Sequence, residues 1–183
     1  MAVRSGPEAS LTPTSYLVLG LVGHHGTATS YALKKTVAGT IGGFWSVPHS
    51  QLYAEPTRLV GLGLLADDQE SGGRRRRTYS LTPAGRRELD QWLAMPTEEG
   101  TELRDLALLK LYFGGQSGPG SVRRVAAHAV EVHRRRLAAY EALVMQPPPR
   151  ADLYQLAILA LAARYESEAV AFWDAVAVDP DLG

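Results

Sequence analysis

The 183 residues include no cysteine, which excludes a disulfide framework and any thiolate metal site. Long apolar runs are missing too. The most apolar stretch, Leu156 to Ala163, is too short to cross a bilayer and is rich in alanine, so it reads as buried helix. Residues 1 to 12 have neither the basic start nor the apolar core of a signal peptide, and the expected location is the cytoplasm. Net charge is also absent, since 19 Lys and Arg balance 19 Asp and Glu. That balance is uneven along the chain. Residues 1–95 hold 10 cations against 7 anions, and residues 96–183 hold 9 against 12. A basic first half and an acidic second half fit a nucleic-acid-binding head on a non-binding body.

Catalytic constellations are lacking as well. There is no phosphate-cradling glycine loop of the right form, no nucleophile elbow and no framed pair of carboxylates. The GLGL run at Gly61–Leu64 lacks the rest of a dinucleotide fingerprint and precedes a strand rather than following one. His24 and His25 are adjacent and diverge, while His128 and His133 are five apart, a poor spacing for shared coordination on one helix. His133 falls in an apolar stripe, where a core or interface histidine is the commoner explanation. Neither an enzyme, a metal site nor a cofactor is expected.

What is present is a 45% hydrophobic composition, ample for a packed core, arranged in periodic segments. Met1 to Pro13, rich in Ser, Gly, Pro and Thr, reads as a flexible tail. Thr14 or Ser15 can cap a first helix carrying Tyr16, Leu17, Leu19, Leu21 and Val22, with a stop at Gly23 or Gly26. A second helix from Thr29 or Ser30 uses Tyr31, Leu33 and Val37 as its inner side and ends at Gly39, after which GTIGGF turns.

A third helix is predicted within Trp45–Leu65. With Leu52 as reference, Pro56 and Leu59 fall beside it, whereas Ser46, Ser50, Tyr53, Ala54 and Thr57 lie on the far side. The far side is small and able to hydrogen-bond, as a groove-facing surface must be. Pro56 lacks the N–H that would bond the Leu52 carbonyl, so a bend or an early irregular turn is expected there. Leu64–Gln69 and Arg75–Leu81 fit two strands joined by Glu70, Ser71, Gly72 and Gly73. Thr82 and Pro83 start a fourth helix running to about Met95. Helix, helix, helix, strand, strand, helix is the order of a winged helix-turn-helix, here over 14–95.

Pro96 to Gly100 breaks the pattern and marks a domain boundary. Beyond it, over 101–177, three helices follow: Glu102–Phe113, Ser121–Met145 and Asp152–Val176. The second carries a stripe of Val122, Val125, Ala126, Ala129, Val132, His133, Leu137, Tyr140, Leu143 and Val144, and the third offers Tyr154, Ile158, Leu161, Tyr165 and Phe172 along one side. Three helices in so short a chain cannot cover all of these faces, which implies a homodimer through the C-terminal helices. The fold class is mainly α: a winged helix-turn-helix of three helices, a two-stranded wing and a linking helix, plus a C-terminal three-helix dimerisation domain.

Several features together resemble the PadR family of bacterial transcriptional regulators. They are the opening SYLVLGLVGHHGTATSYALKK, the Ser50, Gln51, Leu52, Tyr53 and Arg58, Leu59 run closing in GLGLL, and TYSLTPAGRREL after the wing. ELRDLALLKLYFGG is similar to the start of the long C-terminal helical domain found in one subgroup. The resemblance spans about residues 14–176. It implies a dimeric winged-helix regulator, often a repressor, in many members of which small aromatic or amphipathic effectors loosen DNA binding near the dimer interface. On this resemblance Tyr53 matches the recognition-helix tyrosine, with Ser50 and Gln51 as polar positions before it. Two positions depart from the family pattern: Ala54 stands where a proline usually follows that tyrosine, and Ser30 where a glycine precedes the tyrosine of the second helix.

The candidate DNA-binding residues are therefore Ser46, His49, Ser50, Gln51, Tyr53 and Thr57 on the recognition segment and Lys34 and Lys35 on the second helix. Arg74, Arg75, Arg76 and Arg77 on the wing complete the set. Gln and Ser can reach base edges, whereas Tyr more often bonds a phosphate oxygen. The bland alternatives are an exposed polar face and a solvated arginine loop. His49 also sits near the apolar side, as a structural residue would. Trp92 is the candidate to stack on an effector, against the alternative of a core tryptophan joining the two domains. The partners implied are promoter DNA with an inverted-repeat operator, a second copy of the chain, and a small effector. A rival reading is a protein-interaction module in which the winged helix does not bind DNA.

Overall fold

Thr12 and Pro13, rather than Thr14 or Ser15, open the first helix in a computed structural model of the protein, which describes residues 10–39, 41–69, 77–98, 100, 103–149 and 151–179. Helix α1 spans Pro13–His25. Proline suits the first helical position because its φ is already helical and it has no N–H to leave unpaired. Thr12 Oγ1 accepts from the Ser15 N–H at 3.3 Å, and Ser15 Oγ accepts from the Thr12 N–H at 2.8 Å. This reciprocal cap makes Ser15 the third residue of the helix and buries it completely.

Gly26, at a φ of +75°, ends α1 and leads into a strand β1, Thr27–Ala28. Two residues are too few to show alternation, which is why the sequence reading missed it. Helix α2 is Ser30–Gly39, with Thr29 Oγ1 accepting from the Ala32 N–H at 3.2 Å. Leu33 and Val37 are buried, but Tyr31, expected beside them, is 69% exposed. Positions two apart on a helix lie about 200° apart, so Tyr31 and Leu33 cannot share a face. A single 3-10 turn at Ile41–Gly43 follows.

Helix α3 runs His49–Gly61, later than the Trp45 start expected. Pro48 is the reason: it disfavours helical geometry at Val47 and itself takes the cap position at φ −57°, ψ 132°. The helix continues through Pro56, with Leu52, Pro56 and Leu59 buried as one face. Its end is a Schellman turn in which Leu64 N–H bonds the Leu59 carbonyl at 3.0 Å and Gly63 N–H the Val60 carbonyl at 2.9 Å. Gly63 adopts the φ of +72° that this turn requires.

Strand β2 is Leu65–Gln69 and β3 is Arg77–Leu81, while Glu70 to Arg76 lie outside the described residues. Their antiparallel register runs from Leu65↔Leu81 to Gln69↔Arg77. The two wing strands pair as expected, and β1 adds to β3 to make a three-stranded sheet in the order β1-β3-β2. Helix α4, Pro83–Ala94, is capped by Thr82, whose Oγ1 accepts from the Gly85 N–H at 3.0 Å. Thr82 also donates to the Gly63 carbonyl at 2.7 Å, stitching the end of α3 to the start of α4. One core, including Val18, Leu19, Val22, Leu33, Leu52, Leu59, Leu65, Tyr79 and Leu89, unites these elements.

A second tie sets the position of α3. Arg58 donates to Glu55 from Nε at 3.0 Å and from a terminal nitrogen at 2.7 Å, and that nitrogen reaches Ser15 Oγ at 2.8 Å. Helix α3 is thereby pinned to the capped start of α1. The Arg58 hydrogen bonds hold the Glu55 carboxyl below the ordinary carboxylate range, although burial works the other way.

The chain divides into two compact units, residues 1–99 and 100–183. In the second, α5 is Leu106–Tyr112, shorter than the expected Glu102–Phe113 because Asp105 caps it, accepting from Ala107 N–H at 2.6 Å and Leu108 N–H at 3.2 Å. Helix α6, Pro119–Met145, and helix α7, Leu153–Val178, pair antiparallel. Arg123 Nε donates to the Ala177 carbonyl at 3.2 Å, and His133 Nδ1 lies 2.6 Å from Glu166 Oε2. Their shared core is Val122, Ala126, Ala129, Val130, Trp173 and Val176.

The side of α7 expected to be apolar is apolar, yet it is uncovered. Tyr154 is 73% exposed and Tyr165 67%, with Ile158, Leu161 and Phe172 exposed beside them, while Leu159, Trp173 and Val176 face inward. Alanine and leucine occur on nearly every side of α7, so periodicity did not say which side would be covered.

Two outcomes follow from this packing. A Cβ at Gly85 would overlap the Leu64 carbonyl oxygen, so Gly85→Ala should cost about 3 kcal/mol in urea unfolding. Because the Glu55 pKa is lowered by folding, its contribution is present above the unfolded carboxylate pKa and is lost as pH falls through the folded value. Glu55→Gln should therefore cost about 1 kcal/mol at neutral pH and nothing in acid below that value, as read from unfolding curves across pH.

Candidate nucleic-acid interface

Burial of Leu52, Pro56 and Leu59 turns the opposite side of α3 outward. Ser50, Tyr53, Ala54 and Thr57, at i, i+3, i+4 and i+7, form one exposed ridge, with His49 and Gln51 exposed beside it. The exposure of His49 argues against its structural reading. Ser46 is also exposed but precedes the helix, so it does not belong to the ridge. Lys35 on α2 is exposed and Lys34 is half-buried. Arg74, Arg75 and Arg76 lie outside the described residues.

Thr57 on the ridge and Gln51 beside it are each held from another element. Thr14 on α1 donates to Gln51 Oε1 at 3.2 Å. Arg77 on β3 donates from a terminal nitrogen to Thr57 Oγ1 at 3.3 Å and from Nε to Asp67 Oδ2 at 2.7 Å, with its guanidinium carbon 5.5 Å from the Tyr79 ring centre. The Asp67 hydrogen bond raises the Arg77 pKa further. Arg77 thus joins wing and helix.

Trp92 stacks on Tyr16, with ring centres 4.7 Å apart and planes 5° from parallel. Tyr16 Oη donates to Glu88 Oε1 at 3.0 Å, and burial, then that bond, raises the Tyr16 pKa. One indole face is therefore occupied within the N-terminal unit itself. Among the described residues no group of three or more His, Cys, Asp or Glu could hold a metal ion. His25 Nε2 lies 2.9 Å from Thr36 Oγ1, and His133 pairs with Glu166.

Sequence reasoning missed Thr14, Ser15, Glu55 and Asp67. The Glu55–Arg58 spacing of three was legible as a helix pair. Asp67–Arg77 becomes legible only once the hairpin register places Asp67 opposite Tyr79, diagonal to Arg77. Ser15–Arg58 joins residues 43 apart and has no local signal.

A three-helix head with a wing, a buried face on its third helix and a polar ridge opposite defines the winged helix-turn-helix class. Residues 18–91 match the Transcriptional regulator PadR-like family. Residues 103–178 match the family described as Virulence activator alpha C-term. The Negative transcriptional regulator PadR of Bacillus subtilis (strain 168) is 31% identical over 100 residues, which are 54% of each chain. The chain thus spans about half the length of this curated relative. Among solved structures, Bacillus subtilis PadR in complex with operator DNA aligns at a TM-score of 0.77 and 24% identity, covering 90% of this chain and 96% of that one. A PadR-like transcriptional regulator from Bacillus cereus aligns at 0.80 and 18%, covering 91% and 96%. Bacillus subtilis PadR in complex with p-coumaric acid aligns at 0.74 and 21%, covering 94% and 99%. These likenesses establish the fold.

Proposed function

We propose that the chain is a homodimeric, sequence-specific DNA-binding repressor that reads an inverted-repeat operator. The observation that carries this reading is the Ser50–Tyr53–Ala54–Thr57 ridge, polar and exposed on a helix whose other side is locked into a PadR-like domain. Each head would set this ridge in a major groove, with Gln51 and Ser50 toward base edges and Tyr53 toward a phosphate. Lys34, Lys35 and Arg74 to Arg76 would grip the flanking backbone. The relatives it matches are named as transcriptional regulators, and one solved neighbour carries operator DNA, which supports regulation rather than catalysis.

A second copy is the proposed occupant of the uncovered side of α7. Tyr154, Ile158, Leu161, Tyr165 and Phe172 follow spacings of four, three, four and seven, the seam of a helical interface. Joining two heads is what makes the ridge selective, because one head touches too little DNA. An effector that loosens this arrangement would act by binding the two head arrangements unequally. The Bacillus subtilis PadR complex with p-coumaric acid supports an aromatic carboxylate as its chemistry. In this chain a cleft of about 430 Å3 lined by Leu109, Lys110, Leu111, Phe113, Val122 and Val125 offers an apolar wall and a cation for such a ligand. No described helix is long and apolar enough to cross a membrane.

Fluorescence anisotropy with the duplex upstream of the chain's own gene, read beside sedimentation, tests this reading. The wild type should sediment as a dimer and shift the duplex, whereas Ile158→Asp with Leu161→Asp should give a monomer whose affinity is at least about a hundredfold weaker. A wild type that binds no DNA at low salt would establish the interaction-module alternative instead.

A further inference from the structure

Asp67 is an anion on the wing, where the proposed function brings the DNA backbone close. By charge alone it weakens binding, since each phosphate contact draws its strength from cations and the counterions they release. Its geometry supplies a compensating role. Its carboxylate holds Arg77 Nε at 2.7 Å, and the same guanidinium donates to Thr57 Oγ1 at 3.3 Å on the exposed ridge of α3. Arginine carries donors and no acceptor, so in this contact the Thr57 oxygen must accept. A cation on that side orients the hydroxyl dipole with its hydrogen turned away, ready to donate elsewhere.

We propose, on the DNA-binding reading above, that Asp67 and Arg77 are positioning residues for sequence recognition: together they turn Thr57 into a hydrogen-bond donor aimed at an acceptor on a base edge. In the major groove those acceptors are purine N7, guanine O6 and thymine O4, whereas cytosine N4 and adenine N6 are donors. Arg77 therefore differs in role from Arg74, Arg75 and Arg76. It is a brace between wing and reader, with two of its three nitrogens engaged by the protein itself.

The test begins by selecting duplexes from a randomised pool with the full-length wild type. Dissociation constants are then compared on the selected duplex and on a scrambled one. Asp67→Asn should weaken the selected duplex roughly tenfold while leaving the scrambled duplex unchanged or bound more tightly. Arg77→Lys keeps the charge but loses the rigid fork, and should show the same selective loss. Thr57→Val, nearly isosteric, should match them, and the Asp67→Asn, Thr57→Val double variant should be no worse than either single change, because all act through one contact. Tighter binding of both duplexes by Asp67→Asn would show that Asp67 merely repels DNA and would overturn the inference. Equal weakening of both, as a phosphate contact or a damaged fold would give, overturns it as well. If the wild type enriches no sequence at low salt, the DNA-binding reading falls and takes this inference with it. A wild type that selects a sequence and an Asp67→Asn variant that holds it equally well sink the brace alone.

Discussion

Burial of one face of α3 is the constraint from which the rest of the N-terminal unit follows. Leu52, Pro56 and Leu59 can leave water only if α1, α2 and the sheet supply apolar partners, and Leu19, Leu33 and Leu65 in the common core do so. Once that face is fixed, the polar ridge has a single direction in which to point. The Schellman turn at Gly63 then sends the chain straight into β2, so the wing grows directly from the end of α3. Hydrogen bonds from Thr14 to Gln51 and from Arg58 to Ser15 tie that helix to α1, and one from Arg77 to Thr57 ties it to β3.

The second unit has the opposite problem. Its helices bury a small core at one end of the α6–α7 pair and leave aromatic and aliphatic side chains of α7 in water. An exposed stripe of this kind carries a free-energy cost that a matching surface removes, and a second copy brings the same stripe by symmetry. On the proposed function the polar ridge and the apolar stripe answer different needs: one would read DNA, the other would bring two readers together.

Much of this was legible in the residues. Thr82 before Pro83, the breaks at Gly26 and Gly39, and the wing strands could be placed because caps, glycines and alternation act locally. So could the inner face of α3, for Leu52, Pro56 and Leu59 recur at helical spacing. What stayed hidden depended on distant partners or on competition between local signals. Strand β1 is too short to alternate, and its pairing with β3 arises only in the folded sheet. Pro48 overrode a helical pattern that seemed to begin at Trp45. Tyr31 was assigned inward by its chemistry when helical geometry turns it outward. In α7, apolar residues on nearly every side left the covered face undecided until α6 was in place. Of the candidate site, the ridge could be read from periodicity, but the supports for Gln51 and Thr57 could not, because Thr14 and Arg77 reach them from other elements.

Hydrogen–deuterium exchange on the full-length chain, with and without the duplex upstream of its gene, addresses the central claim directly. If the α3 ridge reads DNA and α7 joins two copies, DNA should slow exchange in peptides covering 49–61 and 77–81. Peptides covering 154–172 should already be protected without DNA and should lose that protection on dilution. Unchanged exchange at 49–61 with DNA bound, or fast exchange at 154–172 that does not depend on protein concentration, would contradict it.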